Sequence, residues 1–270
     1  MSYNLLKGKK GIIFGALDEK SLAWRTAIKC REEGAEIVLS NAPVAMRMGE
    51  INKLAAIIHA PIIPCDVTSN DDVENLITKT MEHFAGGFDF ILHSIGMGVN
   101  VRKGKPYTEL DYGFNVKTND ISAVSLHRVL ASCIKKDALN EWGSVIALTY
   151  IAAQRVFPDY SEMADAKALL ESVARSFGYH YGVKKHVRVN TISQSPTRTT
   201  AGSGVKGFDG FINYAEKMSP LGNASAEDCA NYIMAMFSDL TRMVTMQNLF
   251  HDGGFSFTGV TAAVIEQMEK

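Results

Sequence analysis

Residues 11–40 read GIIFGALDEKSLAWRTAIKCREEGAEIVLS, and this stretch contains the unit from which the fold is built. The apolar runs Gly11–Phe14 and Glu36–Ser40 predict short strands buried on both faces, because their apolar residues do not alternate with polar ones. The amphipathic segment Ser21–Glu33 between them predicts a helix. A strand, a helix and a second strand in this order indicate a crossover between parallel strands.

The same alternation continues through the rest of the chain. Five further apolar runs predict strands, and five further amphipathic segments predict helices. The strands are Pro61–Cys65, Phe88–His93, Ser144–Thr149, Val187–Ile192 and Gln247–His251, and the helices are Ala45–Ile58, Asn70–Phe84, Phe114–Lys136, Asp159–Tyr181 and Ser225–Phe237. We therefore expect an α/β fold, a Rossmann-like doubly wound parallel sheet of seven strands, in one domain over residues 1–270.

Composition excludes several classes of protein. The chain has 270 residues, is 46% hydrophobic and carries a formal net charge of −1, which argues against coating of nucleic acid or binding through a polybasic surface. Neither a membrane-spanning apolar run nor a secretory signal is recognisable. The four cysteines are scattered without metal-ligand spacing, at Cys30, Cys65, Cys133 and Cys229. We expect a cytoplasmic protein with reduced thiols, no metal, no nucleic-acid partner and no membrane contact.

The turn after the first strand is a candidate nucleotide-binding turn. Gly15 would let the backbone approach a phosphate, and Ser21 as N-cap would direct the amides of a helix N-terminus toward it. The GxGxxG pattern is absent, so an ordinary strand-to-helix turn explains the same residues equally well.

Two further strand ends carry polar or small residues. Asp66 could accept a hydrogen bond from an adenine amino group, or it could cap the helix that starts near Ser69. The segment His93-Ser94-Ile95-Gly96-Met97-Gly98 has glycines that would let a flat nucleoside lie against the backbone, whereas a buried His93 is more often a core residue.

The segment from Pro158 to Lys167 carries the candidate chemistry. Asp159 and Glu162 have the spacing of a capping box, which predicts that a helix begins here with Tyr160 on its first turn. Lys167, seven residues later, would lie on nearly the same helical face, about 10 Å along the axis. A lysine ammonium near the phenol would stabilise phenolate character, so that Tyr160 could donate a hydrogen bond and a proton to a developing oxyanion.

Two other tyrosines compete for this role. Tyr181 with Lys184 and Lys185 has a Tyr-x3-Lys spacing, but it lies at the end of a helix, where basic residues complement the helix dipole. Tyr150 ends the fifth predicted strand, and the carboxyl ends of parallel strands face the ligand crevice. Tyr150 is therefore either a second phenol of the site or a residue that merely closes the strand.

Together these segments resemble the NADH-dependent enoyl-acyl-carrier-protein reductases, a divergent branch of the short-chain dehydrogenase/reductase superfamily. The segments that carry the resemblance are Gly15 with Ser21, Cys65-Asp66-Val67, His93-Ser94-Ile95-Gly96, Tyr150, Tyr160 with Lys167, Val187-Arg188-Val189-Asn190, Pro196-Thr197-Arg198-Thr199 and Asp252-Gly253-Gly254-Phe255. The x6 spacing between Tyr160 and Lys167, and Tyr150 ten residues earlier, are the specific features.

The resemblance implies reduction of the trans-2 double bond of an acyl chain on acyl carrier protein, with hydride from NADH. It implies catalytic roles for Tyr160, Lys167 and Tyr150, and substrate contacts for Gly98, Tyr150 and Tyr160. The cofactor-binding positions that it implies are Gly15, Ser21, Leu22, Ala42, Asp66, Val67, Ser94, Ile95, Gly96, Lys167, Pro196, Thr197, Arg198, Thr199, Thr200 and Ala201. It further implies a homotetramer and a mobile substrate-covering loop and helix at residues 193–217, with Arg198 and Lys206 as candidate contacts of the acidic carrier.

Several positions depart from the family pattern, and one of them, Asp165-Ala166 before Lys167, is more acidic than is typical. Arg25 replaces a small residue of the first helix, Ser195 replaces a glycine before Pro196, and Met246 replaces a glycine before the last strand. After the second strand, Ser40 to Pro43 contain neither the acidic residue that selects NADH nor the bases that select NADPH. NADH is the expected cofactor, and NADPH remains open.

Two alternatives also remain open. A dehydrogenase of the same superfamily acting on another ketone or enone would usually have a serine thirteen residues before the tyrosine, where this chain has Ala147. A non-catalytic nucleotide-sensing protein of the same fold would not need a positioned phenol.

Overall fold

The computed structural model describes residues 2–47, 50–200, 202 and 207–269, with only the backbone of Asp159. Six strands form one parallel sheet in the order β2-β1-β3-β4-β5-β6. The strands are β1 (Lys10–Phe14), β2 (Glu36–Ser40), β3 (Phe88–His93), β4 (Leu139–Thr149), β5 (Arg188–Gln194) and β6 (Asn248–His251). The chain forms a single α/β domain of Rossmann-like topology.

The prediction of a seventh strand at Pro61–Cys65 is wrong for the described residues. This segment runs beside β2 and makes one isolated bridge, between Leu39 and Ile62. The amides of Ile63 and Cys65 donate to Leu39 and Asn41, but Pro61 and Pro64 have no amide hydrogen to contribute. The segment therefore extends the edge of the sheet without completing a regular ladder.

Helices cover both faces of the sheet. The helices are α1 (Leu22–Glu32), α2 (Pro43–Met46), α3 (Glu50–Ile58), α4 (Asn70–Phe84), α5 (Val99–Arg102), α6 (Tyr112–Asn119), α7 (Ser125–Lys136), α8 (Met163–Lys185), α9 (Phe208–Met218), α10 (Ala226–Phe237) and α11 (Ala262–Met268). One apolar core lies between the sheet and α4, α7 and α8, and a second lies between the sheet and α1, α3 and α10. Among the described residues, no helix is both long and apolar enough to cross a membrane.

Serine side chains cap the N-termini of three of these helices. Ser21, Ser69 and Ser225 accept hydrogen bonds from the amides of the first turns of α1, α4 and α10, which satisfies donors that have no carbonyl partner within the helix. The predicted helix Asn70–Phe84 is confirmed. The predicted helix Phe114–Lys136 is interrupted by a π-helical turn at Asp120–Val124, between α6 and α7.

The long helix after β4 begins later than the sequence predicts. Pro158–Tyr160 form a short 3-10 turn, Ser161 adopts a left-handed φ of +48°, and α8 starts only at Met163. The prediction that a helix begins at Asp159 is therefore wrong, and the side chain of Asp159 lies outside the described residues. Glu162 instead accepts hydrogen bonds from the amides of Asn100 and Val101, at the start of α5.

The sheet changes winding direction between β1 and β3, and the carboxyl ends of these strands face a crevice. Gly15 ends β1 with a φ of +89°, and a Cβ built on it would lie 1.9 Å from the carbonyl oxygen of Ser94, after β3. Glycine at this position lets the two strand ends approach each other.

This close approach predicts the effect of two alanine substitutions. Gly8 also has a positive φ, of +77°, but a Cβ there would meet no described atom within 4 Å. We expect Gly8→Ala to lower the free energy of unfolding by about 1 kcal/mol, through backbone strain alone. Gly15→Ala should lower it by about 1–3 kcal/mol more, because of the clash with Ser94. Urea unfolding measures both values, and equal losses would contradict the proposed contact.

Candidate active site

Tyr150, Tyr160 and three phenylalanines form an aromatic cluster beyond the carboxyl end of β4. The Tyr150 ring centroid lies 5.3 Å from that of Tyr160, 5.5 Å from Phe157 and 6.0 Å from Phe211. Phe255, after β6, packs against Phe157 and Phe211. The two tyrosines that the sequence selects are thus neighbours in an apolar environment.

Burial keeps both phenols in the protonated form. Burial raises the pKa of Tyr160 to about 12. The pKa of Tyr150 is also raised well above its ordinary value, first by burial and then by the charges of Tyr160 and Asp252. The buried Tyr150 hydroxyl has no hydrogen-bond partner among the described residues. Each phenol is therefore available to donate a hydrogen bond to an oxygen atom placed beside the cluster.

Lys167 lies on α8, next to the same end of β4. Its side chain is buried, and its ammonium donates a 2.7 Å hydrogen bond to the carbonyl oxygen of Leu148. Burial lowers the pKa of Lys167 to about 8, and the charge of Glu171 opposes this shift. Tyr160 lies in the turn before α8, so it does not share a helical face with Lys167 as predicted. Both residues contact the end of β4, because Lys167 binds Leu148 and Tyr160 packs on Tyr150.

The candidate nucleotide-binding residues surround the crevice between β1 and β3. Ser21 caps α1, and its hydroxyl also accepts from the amide of Leu17 in the first turn. Gly96 lies near the ammonium, since a Cβ built on it would be 3.7 Å from Lys167 Nζ. Leu22 is the first residue of α1, and Ser94 and Ile95 continue directly from β3. These residues line one crevice.

Gly98, which the resemblance assigns to the substrate, lies beside the start of α8. A Cβ built on Gly98 would lie 2.7 Å from Met163 Cγ and 2.6 Å from Val101 Cγ1. Only a glycine leaves these side chains their present positions.

Asp66 does not cap the following helix, because Ser69 does. Its carboxylate accepts hydrogen bonds from the amide and the hydroxyl of Thr68, and these bonds lower its pKa. Asp66 remains exposed at the carboxyl end of the Pro61–Cys65 segment, while Val67 is buried in the core and Ala42 precedes α2.

The loop after β5 returns to the first turn. The side chain of Thr200 hydrogen-bonds to Asp18, and Thr197 donates to the carbonyl oxygen of Ser195. Arg198 forms an ion pair with Asp209 at the start of α9. The residues that line an open cavity of about 630 Å³ at this place are Lys20, Arg198, Thr199, Thr200, Gly207, Phe208, Asp209 and Gly210. Pro196 lies at the buried base of the loop, and Ala201 and Lys206 lie outside the described residues.

The structure also accommodates three of the departures from the family pattern. Met246 adopts a left-handed φ of +61°, a conformation that suits glycine, and Gly178 on α8 leaves space for its side chain. Ser195 is buried, and its hydroxyl accepts from the amide of Ala224. Arg25 lies half-buried on the first turn of α1.

The remaining candidates have structural roles. Tyr181 is buried in the core, and Lys184 and Lys185 end α8, where Lys185 pairs with Asp137. His93 is buried and shares a 2.8 Å hydrogen bond with Ser125. Burial, and then the charge of Lys167, lowers the pKa of His93 to about 3, so this imidazole is neutral.

Sequence reasoning missed the three phenylalanines of the cluster and the buried Glu171. Phe157, Phe211 and Phe255 are distant from one another in sequence, so no local pattern connects them. Glu171 did give a signal, because an acidic residue four positions after Lys167 lies on the same buried face of α8.

The crevice fits a dinucleotide. The positive φ of Gly15 opens the first turn, the N-terminus of α1 provides amide donors, and the lysine ammonium beside Gly96 provides a donor at the far end. Among the described residues, no group of three His, Cys, Asp or Glu side chains could hold a metal ion.

Comparisons with known proteins agree with this arrangement. Residues 15–256 match the family model described as enoyl-(acyl carrier protein) reductase. The chain is 31% identical to enoyl-[acyl-carrier-protein] reductase [NADH] 2 of Rhizobium meliloti, over 95% of this chain and 94% of that protein. The FabI–NADH complex of Alistipes finegoldii is 64% identical, with a TM-score of 0.95 over 96% of this chain and 92% of that one. The reductase of Aquifex aeolicus is 29% identical, with a TM-score of 0.88 over 95% and 100% of the two chains.

The match begins at Gly15, directly after β1, and ends just beyond Phe255, so it includes β2 to β6 and all residues of the aromatic cluster. By its sheet, its pair of phenols and this match, the chain belongs to the enoyl-acyl-carrier-protein reductase family.

Proposed function

We propose that the protein reduces the trans-2 double bond of enoyl groups carried on acyl carrier protein, with NADH as the hydride donor. The observation that carries the proposal is the convergence of two protonated phenols and a buried ammonium at the carboxyl end of β4. The name of the Rhizobium meliloti relative gives the same substrate class and cofactor, and the Alistipes finegoldii relative was solved as a complex with NADH.

Each residue of the site has its own role in this proposed reduction. NADH, when bound along the crevice, supplies a hydride to the β-carbon of the enoyl group. The Tyr160 hydroxyl donates a hydrogen bond to the thioester carbonyl oxygen and stabilises the enolate charge that develops there, and protonation of this enolate completes the reduction. Lys167 holds the nicotinamide ribose and adds positive charge, and Tyr150 lines the acyl pocket. The aromatic cluster excludes water, which strengthens these electrostatic interactions.

For the remaining cofactor-binding positions, we propose three groups. Asp66 and Val67 flank the adenine, with Ala42 nearby at the end of β2. Ser94, Ile95 and Gly96 pack against the adenosine and its ribose. The last group, at the nicotinamide and diphosphate, consists of Gly15, Ser21, Leu22, Pro196, Thr197, Arg198, Thr199, Thr200 and Ala201.

Residues 193–217 are proposed to form a mobile cover over the substrate. Phe211 on α9 packs edge-on against Tyr150, so a movement of α9 would open or close the acyl pocket. We also propose a homotetramer that packs through α7 and α8.

Reduction of another ketone is less well supported. The position of the usual ketone-polarising hydroxyl is held by Ala147, which is fully buried in the core and carries no donor. A nucleotide sensor would not need two phenols in an apolar cluster.

Removal of the Tyr160 hydroxyl tests the reaction itself. We expect Tyr160→Phe to lower kcat for a trans-2-enoyl thioester about 10²–10³-fold, because one donor to the developing oxyanion is lost. NADH oxidation followed by absorbance measures the rate. Tyr181→Phe is the matched control, because it removes a phenol of the core, and its kcat should stay near that of the unchanged protein. Equal rates for the two variants, or activity on ketones alone, would reject the proposal.

Cofactor preference follows from the residues after β2. Neither Ser40 nor Asn41 carries a positive charge that could bind a 2′-phosphate. The Ser40 hydroxyl donates to the carbonyl oxygen of Ile63, and the Asn41 side chain donates to the carbonyl oxygen of Ala16 and accepts from the amide of Ala42. We expect kcat/KM to be about tenfold or more higher with NADH than with NADPH, because the 2′-phosphate of NADPH would lack a charged hydrogen-bond donor. Ala42→Arg should narrow this ratio. A preference for NADPH in the unchanged protein would contradict the assignment.

Docking of the acidic carrier is proposed to use exposed bases near the cover, among them Arg198. Raising the ionic strength from about 0.05 M to about 0.5 M should raise KM for a carrier-bound substrate more than KM for a short thioester, because salt screens exposed charges. Steady-state kinetics with both substrates provide the comparison. A parallel change in the two KM values would show that docking is not electrostatic.

A further inference from the structure

Glu171 is a buried carboxylate to which the proposed mechanism gives no role. It lies on α8, four residues after Lys167, and only 4% of its surface is exposed. Burial of a carboxylate costs several kcal/mol unless hydrogen bonds and charge compensate for it. Its neighbours beside the candidate active site must therefore compensate for this cost.

Three neutral side chains bind this carboxylate, two from the segment around the end of β4 and one from β6. Oε1 accepts from Thr149 Oγ1 at 2.9 Å and from Asn248 Nδ2 at 3.2 Å, and Oε2 accepts from Gln154 Nε2 at 3.1 Å. Thr149 ends β4, Asn248 begins β6, and Gln154 follows the short turn after β4.

These partners enclose Tyr150. Thr149 precedes it by one residue and Gln154 follows it by four, so Glu171 holds the backbone on both sides of the phenol. The hydroxyl of Tyr150 has no partner of its own among the described residues, and only ring contacts and this backbone fix its position.

Glu171 also acts on Lys167. The two charged groups lie one helical turn apart and bind consecutive residues of β4, the carbonyl oxygen of Leu148 and the hydroxyl of Thr149. Both side chains are buried, so water screens the attraction between their charges only weakly.

We propose that Glu171 is a positioning residue of the active site, which keeps the Lys167 ammonium charged and clamps the strand end that carries Tyr150. The importance of this for turnover rests on the proposed function, whereas its effect on Lys167 is a property of the ligand-free protein.

The charge of Lys167 can be observed without interference from its neighbours. Besides Glu171, the titratable group that interacts with its charge is His93 on β3, and Tyr150 and Tyr160 lie beyond the end of the strand that Lys167 binds. His93 stays neutral because its pKa is lowered to about 3, and Tyr160 stays protonated because its pKa is raised to about 12. With the pKa of Lys167 lowered to about 8, the ammonium titrates alone near that pH.

The test is an NMR titration of the ligand-free protein labelled with ¹³C at lysine Cε, with the Lys167 signal assigned by its loss in Lys167→Met. We expect a midpoint near pH 8 in the unchanged protein. Glu171→Gln should lower the midpoint by about 1 unit, because the nearby negative charge is removed. The alkaline decline of kcat/KM should move to lower pH by the same amount.

Glu33→Gln is the matched control. Glu33 is an equally buried carboxylate at the end of α1 that binds the amides of Tyr3 and Leu5, far from the site. A merely structural role for Glu171 would destabilise both variants and leave the Lys167 midpoint unchanged in both. An unchanged midpoint in folded Glu171→Gln therefore overturns the proposal.

Two further variants separate charge from position. Glu171→Asp keeps the charge but shortens the side chain, so that the carboxylate moves away from its partners. Thr149→Val removes one hydrogen bond without changing any charge. Both should keep the midpoint near 8 while kcat falls on the order of tenfold, because Tyr150 is less well fixed. If Glu171→Gln does not fold, these variants decide, and unchanged kcat in both rejects the proposal.

Discussion

The hydrogen bond from Lys167 to the carbonyl oxygen of Leu148 is the interaction on which the candidate site depends. An ammonium is seldom buried without compensation, because leaving water costs several kcal/mol. The carbonyl at the end of β4 and the nearby carboxylate of Glu171 provide this compensation. They hold α8 in a fixed position against β4. This contact forms the far wall of the crevice between β1 and β3.

The apolar cluster beside this bond sets the protonation of the two tyrosines. An isolated phenol in water and one among phenylalanine rings differ in the stability of the phenolate, which a low-dielectric environment disfavours. Burial raises the pKa of Tyr160. The result is a phenol that stays protonated near neutral pH but can stabilise negative charge on a bound oxygen atom. The same environment makes the unpartnered hydroxyl of Tyr150 a donor available to substrate.

Local patterns predicted regular elements well where a single physical rule determined them. The helix Asn70–Phe84 follows from its amphipathic period and the serine that caps it, and β2 and β3 follow from continuous apolar runs. The prediction of the seventh strand failed because Pro61 lacks the amide that would face β2, and the segment makes only one isolated bridge. The predicted start of α8 was wrong because Glu162 binds the amides of α5. These amides are more than 60 residues away, so no local pattern reveals them.

The sequence by itself determined the fold class, and it also determined the identity of the two phenols and the lysine. Apolar periodicity and the order of strands and helices are local properties, and the spacing of Tyr150, Tyr160 and Lys167 is unusual enough to indicate a family. Only the tertiary structure decided how these residues meet. Tyr160 reaches the site from a turn before α8, and Glu171 becomes significant only when Thr149, Gln154 and Asn248 converge on it. Such contacts join residues far apart in the chain, so they exist only after the sheet and its helices have packed.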